Sequence, residues 1–280
     1  MFATSDIGGK LWRIGVWAVV GFFLLNLAGI IASVVVDSLG TSWFGTWLPD
    51  GFTTHWYSDA WSGFQLGGVL QVTLEVAGAV ILGSAILGVP AAYALARREF
   101  AGKKLVMLVF VLPLIIPPFT YGIPLASVLY QFGLGGTLAG VILANLVPSV
   151  PFVIFILVPF IEQIDPRVEA AARVFGAGTW DLFRRVMVPL LMPGILAALV
   201  LVLVRTIGLF ELTFLTAGPD NQTLVVALYY SVFAAGIRAT QSIDAMAVVY
   251  MVTSLICLIV ALRFVDPTQI VGRAKKVEAH

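Results

Sequence analysis

Only His55, His280 and Cys257 supply imidazole or thiol groups in the 280 residues, and that scarcity limits the chemistry open to the chain. No Cys/His set stands at metal-ligand spacing, so no metal site is expected. No G-x-x-x-x-G-K-[ST] run is present, because Gly8-Gly9-Lys10 lacks the spacing of a phosphate-cradling loop. A Ser/His/Asp set has no histidine within reach of the apolar runs. These gaps argue against catalysis by the chain alone. They direct attention to three ionisable residues inside apolar segments, Glu75, Arg205 and Glu211. A charge in such a place is costly and by default marks a path or a binding site. Arg205 suits an anionic or hydroxyl-rich group, and Glu75 or Glu211 a cationic one. Arg205 and Glu211 stand six positions apart. On one continuous helix that is about 600° of turn, so they would face different ways and not pair. Arg205 then needs another partner: Glu75, a carbonyl, water, a second subunit or a solute. An internal ion pair and a solute contact both stand as readings. Tyr121 and Asn145, on neighbouring apolar segments, add polar groups to the same candidate path.

The segments that carry these residues read as membrane spans. Hydrophobic residues make up 60% of the chain and charged residues 11%, with mean hydropathy +1.02. A soluble domain is about half apolar and roughly a quarter charged, so a soluble enzyme, a secreted disulfide scaffold and a disordered chain are excluded. The net charge of +1 has no basic face to offer nucleic acid. A spanning helix needs about 20 apolar residues. Long charge-free runs give six: 14–36, 67–95, 105–129, 137–160, 192–214 and 244–264. The run from Lys104 to Glu162 is too long for one helix, and Gly133-Leu134-Gly135-Gly136 divides it as a tight turn. Pro113, Pro117, Pro118 and Pro124 in the third span, and Pro148, Pro151 and Pro159 in the fourth, predict bent helices. The fold class is therefore all-α integral membrane, one domain over 1–280. The first span reads as a retained helix and not a cleaved leader.

Fourteen of the 16 Lys and Arg fall on one side of this arrangement, from Lys10 to Lys276, leaving Arg205 and Arg238 apart. The positive-inside rule makes that side the cytoplasm, with both termini in it. The outer loops are then 37–66 and 215–243. The first holds Trp43, Trp47, Trp56, Tyr57 and Trp61, which suit either an interfacial belt or a docking surface for an outside partner. The second, with Pro219-Asp220-Asn221 and Tyr229-Tyr230, is a further candidate for meeting such a partner.

The cytoplasmic loop 162–189 is the richest in charge. Asp165-Pro166 reads as an N-cap with proline at the first helical position. A helix over Val168 to Phe175 stops at Gly176-Ala177-Gly178, and Thr179 caps a second short helix to Met187. Pro189 then leads into the fifth span. The run Glu169-Ala170-Ala171-Ala172-Arg173-Val174-Phe175-Gly176-Ala177-Gly178, with Phe183-Arg184-Arg185-Val186 and Pro189-Leu190, resembles the EAA loop of permease subunits of binding-protein-dependent ABC importers. Tyr93-Ala94-Leu95-Ala96-Arg97, Leu112-Pro113-Leu114-Ile115-Ile116-Pro117-Pro118 and Leu215-Thr216-Ala217-Gly218-Pro219 extend the resemblance in order along the chain. One departure stands out. The family pattern places its Glu six residues before the loop Gly; here Ala170 holds that position and Glu169 lies one earlier.

The resemblance implies a coupling loop between spans four and five, with Glu169, Ala170, Ala171, Ala172, Gly176, Ala177, Gly178, Phe183 and Pro189 as its candidate residues. It implies a second homologous permease, two ATPase subunits that carry ATP and Mg, and a periplasmic or extracellular solute-binding protein. No cofactor or metal is expected in this chain. It places the chain in the bacterial inner membrane, passing a small hydrophilic solute. The Ala217-Gly218-Pro219 stretch leans to sugar-type permeases; His55-Trp56-Tyr57 and Pro117-Pro118 lean to polyamine-type ones. A sugar or sugar derivative is the favoured solute. An ion-coupled secondary transporter is the rival class, but no two matched halves are visible.

Overall fold

The computed structural model describes residues 5–43, 45–233 and 239–264. Arg238, Arg273, Lys275, Lys276 and His280 lie outside the described residues. Regular structure among those described is helical, apart from one isolated bridge between Gly40 and Phe52. Five helices are long and apolar enough to cross a membrane, and six spans result if one sharply bent pair counts as a single crossing. The helices fall into two compact units, taken in turn.

The first unit comprises residues up to Phe64 together with Ser231–Val249. α1 (Ser5–Leu39) is unbroken, and the chain buries none of its most apolar window. After it the chain folds back on itself. Thr41 N–H donates to the Gly51 carbonyl at 2.9 Å, and the Trp56 indole N–H donates to the Gly40 carbonyl at 2.7 Å. The expected outer loop thus contains a short helix, α2 (His55–Gly63). The hydroxyls of Tyr57 and Ser38 share a hydrogen bond of 2.8 Å, tying α2 to the end of α1. Trp47 is 98% exposed.

The second unit spans Gln65–Tyr230 and resumes at Tyr250. α3 (Leu66–Arg97) and α6 (Leu138–Glu162) form its centre with the helix running from Thr179 to Gly208. Val76, Val80 and Ala92 meet Ile154, Leu157, Ile161, Ala198 and Val202, all almost fully buried. Lipid tails are as apolar as these side chains, so close packing and not water exclusion holds the helices together. Gly88 shows how close: a methyl built there would stand 2.8 Å from Val153 Cγ1. α6 runs unbroken through Pro148, Pro151 and Pro159. Thr137 caps it by accepting the Gly140 N–H at 3.1 Å.

The third expected span is α4 (Lys103–Ile115) and α5 (Pro118–Gln131), bent by 103° between them. Pro117 forces Ile116 out of the helical region, Pro118 does the same to Pro117, and Pro118 then opens α5 at its first position. The turn into α6 uses left-handed Gly133 (φ +69°) and Gly136 (φ +75°).

The 162–189 loop departs from expectation in its second half. α7 (Pro166–Val174) is capped by Asp165, whose carboxylate accepts the Arg167 N–H at 2.8 Å, and left-handed Gly176 (φ +85°) ends the segment. The next helix is not separate from the fifth span. α8 (Thr179–Asp181) passes through a wide π turn, Leu182–Met187, into α9 (Val188–Gly208) without a break. Gly178, not Thr179, occupies the N-cap, with no side-chain bond. The wide turn comes immediately before Pro189, whose ring excludes the ordinary bond to the Arg185 carbonyl.

The fifth span also ends early. Leu209 is extended (φ −78°, ψ 96°), and a separate α10 (Phe210–Thr216) follows. The expected second outer loop holds a helix of its own, α11 (Leu224–Phe233). α12 (Thr240–Leu262) completes the described chain.

Candidate functional site

Two places gather the polar residues. At the first, the end of α3 meets the 162–189 loop. Tyr93 and Arg97 are four apart on α3 and so share one face. Both reach Glu169, in the first turn of α7, which is only 8% exposed. Arg97 Nε lies 2.6 Å from Glu169 Oε1, and the Tyr93 hydroxyl donates to Oε2 at 2.7 Å. Arg97 Nη2 also donates to the Ile164 carbonyl at 2.7 Å. Both carboxylate oxygens are thus engaged, the condition under which a buried charge pair is sustainable. With Arg98, Arg173 and Thr179 these groups line a recess of about 370 Å3.

The rest of the loop faces outward. Ala170, Ala171, Gly176, Gly178 and Pro189 are exposed; Ala172, Ala177 and Phe183 are half-buried. The Phe183 ring sits between Tyr93 at 5.4 Å and Trp180 at 6.1 Å, centroid to centroid. Val174, Phe175 and Trp180 are 85%, 91% and 67% exposed, an apolar cap on the loop's outer side. In the sequence Tyr93 and Arg97 stand out only within the motif that closes the second span, and neither their pairing with Glu169 nor this cap is evident from charge. The four-residue spacing of Tyr93 and Arg97 was the available signal.

The second place is the break between α9 and α10. Arg205 occupies the last turn of α9 and Glu211 the first turn of α10. Each sits at the helix end whose dipole favours its charge. The broken helix removes the continuous turn on which the 600° separation depended. Among the described residues Arg205 forms no ion pair with Glu75 or Glu211; its guanidinium lies over the Phe152 ring at 5.4 Å. Glu75 is on an exposed face of α3 and accepts from Gln71 Nε2 at 2.7 Å. Tyr121, on α5, lies near enough to Arg205 and Glu211 for both charges to bear on it, and its shielded hydroxyl has no hydrogen-bond partner among the described residues. Asn145, fully buried on α6, donates to the Val141 carbonyl at 2.9 Å and to Thr213 Oγ1 at 3.2 Å, joining α6 to α10; its Oδ1 has no partner among the described residues. The structure thus gathers Arg205, Glu211 and Tyr121, sets Asn145 beside α10, and leaves Glu75 on another surface.

Aromatic rings collect at the same break, and of these only Tyr229 and Tyr230 stand out in the sequence. Phe210 lies 5.0 Å from Phe214, 4.7 Å from Tyr229 and 6.5 Å from Phe119. Beyond α10, Ala217-Gly218-Pro219 crosses the 133–136 turn. Gly136 N–H donates to the Thr216 carbonyl at 2.9 Å, and Asn221 Nδ2 donates to the Gly136 carbonyl at 2.9 Å.

Comparison with known proteins adds three findings. Residues 84–271 match the family described as binding-protein-dependent transport system inner membrane component. The molybdenum transport system permease protein ModB of Haemophilus influenzae is 35% identical over 176 residues, which cover 57% of this chain and 77% of that protein. The trehalose transport system permease protein SugB of Mycobacterium tuberculosis is 31% identical over 193 residues, covering 69% of this chain and 70% of that one. Among solved structures, a chain from a bacterial ABC transporter involved in the import of the acidic polysaccharide alginate superposes with TM-score 0.75. Its identity is 17%, and the match covers 94% of this chain and 97% of that one, a likeness of fold.

Proposed function

Because the chain belongs to the family of binding-protein-dependent transport system inner membrane components, we propose that it is one transmembrane subunit of an ATP-driven ABC importer. It pairs with a second homologous permease, two cytoplasmic ATPase subunits that bind ATP and Mg, and an outside solute-binding protein. Both termini and the 162–189 loop face the cytoplasm, in the bacterial inner membrane. The observation that carries this reading is the loop itself: an outer apolar cap of Val174, Phe175 and Trp180 on a segment whose inner side is fixed to α3. Exposed aromatic groups at the tip of a charged loop are unfavourable in water and suit a groove on another protein.

The solute is small and hydrophilic, and its path runs by the break between α9 and α10. A sugar or sugar derivative is the favoured class. The ring cluster around Phe210 and Tyr229 offers flat apolar faces beside Glu211, and the trehalose permease is among the relatives. The second reading is a small organic ion, a polyamine or an anion. The guanidinium of Arg205 beside the unpartnered Tyr121 hydroxyl supports the anionic form, and a molybdenum permease is also among the relatives.

The test is purification of the assembled complex from the native membrane. The ATPase subunits are expected to co-purify with the wild-type chain. Phe175→Asp is expected to release them while the chain still inserts, with a loss of affinity of about 30-fold or more, as for an aromatic hot spot. Retention of the ATPase by that variant at wild-type affinity would refute docking through this cap.

A further inference from the structure

The loop is joined to α3 by two contacts of different chemistry that converge on Tyr93. One is polar: Glu169 to Arg97 at 2.6 Å and to the Tyr93 hydroxyl at 2.7 Å. The other is aromatic: Trp180 against Phe183, and Phe183 against Tyr93. The polar contact differs from a surface ion pair, which is screened, mobile and worth little. Its side chains are 15% and 10% exposed. Arg97 is further held by the Ile164 carbonyl, at the entrance to the loop. Each carboxylate oxygen of Glu169 is already engaged within this chain. Ala170, in the position where the resembled loop carries glutamate, is exposed. The outer face of α7 near this point therefore offers a methyl group, and the glutamate of this loop is turned inward.

We propose that the Glu169–Arg97–Tyr93 contact is the strut through which the docking loop moves α3, with Glu169 a positioning residue inside this chain and not a contact to the ATPase. The inference deepens the coupling reading above and rests on it. A push on the apolar cap displaces α7 and Trp180. A loose loop would absorb that displacement, whereas the two convergent contacts pass it to the last turn of α3. α3 continues as one helix of 32 residues, about 48 Å long. Near its other end Thr73 Oγ1 accepts the Leu224 N–H at 2.9 Å, at the start of α11. α11 carries Tyr229, which packs on Phe210 at the α9/α10 break. One continuous helix, with Pro90 inside it, thus links the loop to the neighbourhood of the candidate solute path.

The experiment uses the full complex in lipid vesicles and needs no solute. The native Cys257 is replaced (Cys257→Ser), and spin labels are attached at Leu74→Cys on α3 and Phe132→Cys after α5, both exposed positions. The distance between them is measured with and without ATP, using a hydrolysis-blocked ATPase. In the otherwise wild-type chain ATP is expected to shift the distance. Glu169→Gln and Arg97→Gln are each expected to cut the shifted fraction by about tenfold, a magnitude typical of coupling between sites. The ATPase should still co-purify in wild-type amounts. The double variant should be no worse than either single one, because both remove the same contact. Tyr93→Phe, which removes one hydroxyl and keeps the ion pair, should give a smaller loss in the same direction. It decides the matter if the Gln variants fail to insert.

An undiminished shift in the variants, with ATPase still bound, overturns the strut and leaves the docking reading standing. Loss of the ATPase from Glu169→Gln, with normal insertion, also overturns it, because Glu169 would then be a docking contact. A wild-type complex that holds no ATPase refutes the docking reading and the strut with it.

Discussion

Gly218 has no room for a side chain: a methyl there would stand 2.6 Å from the Gly136 carbonyl oxygen. Gly218→Ala must push the chain after α10 away from the 133–136 turn. The expected cost is about 1–3 kcal/mol, read as a lower thermal unfolding midpoint in detergent; an unchanged midpoint would contradict the close approach. Arg205 gives a second prediction at this scale. Its side chain packs on Phe152 and has no carboxylate partner among the described residues, so Arg205→Gln should leave insertion and ATPase binding intact. If Arg205 meets solute, the KM for uptake rises in that variant; an unchanged KM assigns it to packing. Part of this detail is legible in the chain alone. Arg205, Glu211, Tyr121 and Asn145 stand out because polar groups are rare in apolar runs, and the structure brings the first three within electrostatic reach. The inward turn of Glu169 is not legible, because it depends on a helix end more than 70 residues away in sequence.

At the scale of elements, local rules succeed where proline and glycine set the backbone. Pro117-Pro118 announces the 103° bend, and Asp165-Pro166 with Gly176 brackets α7. Asp165→Ala should therefore loosen α7 by about 1 kcal/mol, measured as faster amide exchange over 167–170; wild-type exchange there would deny the cap its role. Local rules are weaker at the α9/α10 break. Gly208 ends α9 there, but the apolar run continues through Leu209 and Phe210, and the tertiary setting, with Asn145 bonded to Thr213 and Leu212 fully buried, identifies α10 as a separate piece. Pro189 misleads in the opposite sense. It reads as a boundary, yet the π turn before it carries the helix through. The short helix after the loop is for that reason the first turns of a span, so movement of Trp180 and Phe183 is movement of α9 itself.

For the molecule as a whole, the scarcity and placement of charge make the membrane class and the number of apolar segments legible, and the five or six apolar helices agree. What charge does not reveal is the division of labour within the loop: an inner polar tie of Tyr93, Arg97 and Glu169, and an outer apolar cap of Val174, Phe175 and Trp180. In the proposed importer this cap delivers the work of ATP hydrolysis to the solute path. The most direct measurement is uptake by vesicles holding the purified complex, with ATP supplied on the loop side and ion gradients collapsed by ionophores. Uptake that persists under those conditions, requires ATP and is abolished by Phe175→Asp is the predicted result. Uptake that continues without ATP and stops when a proton or sodium gradient is collapsed would contradict the account and favour an ion-coupled transporter.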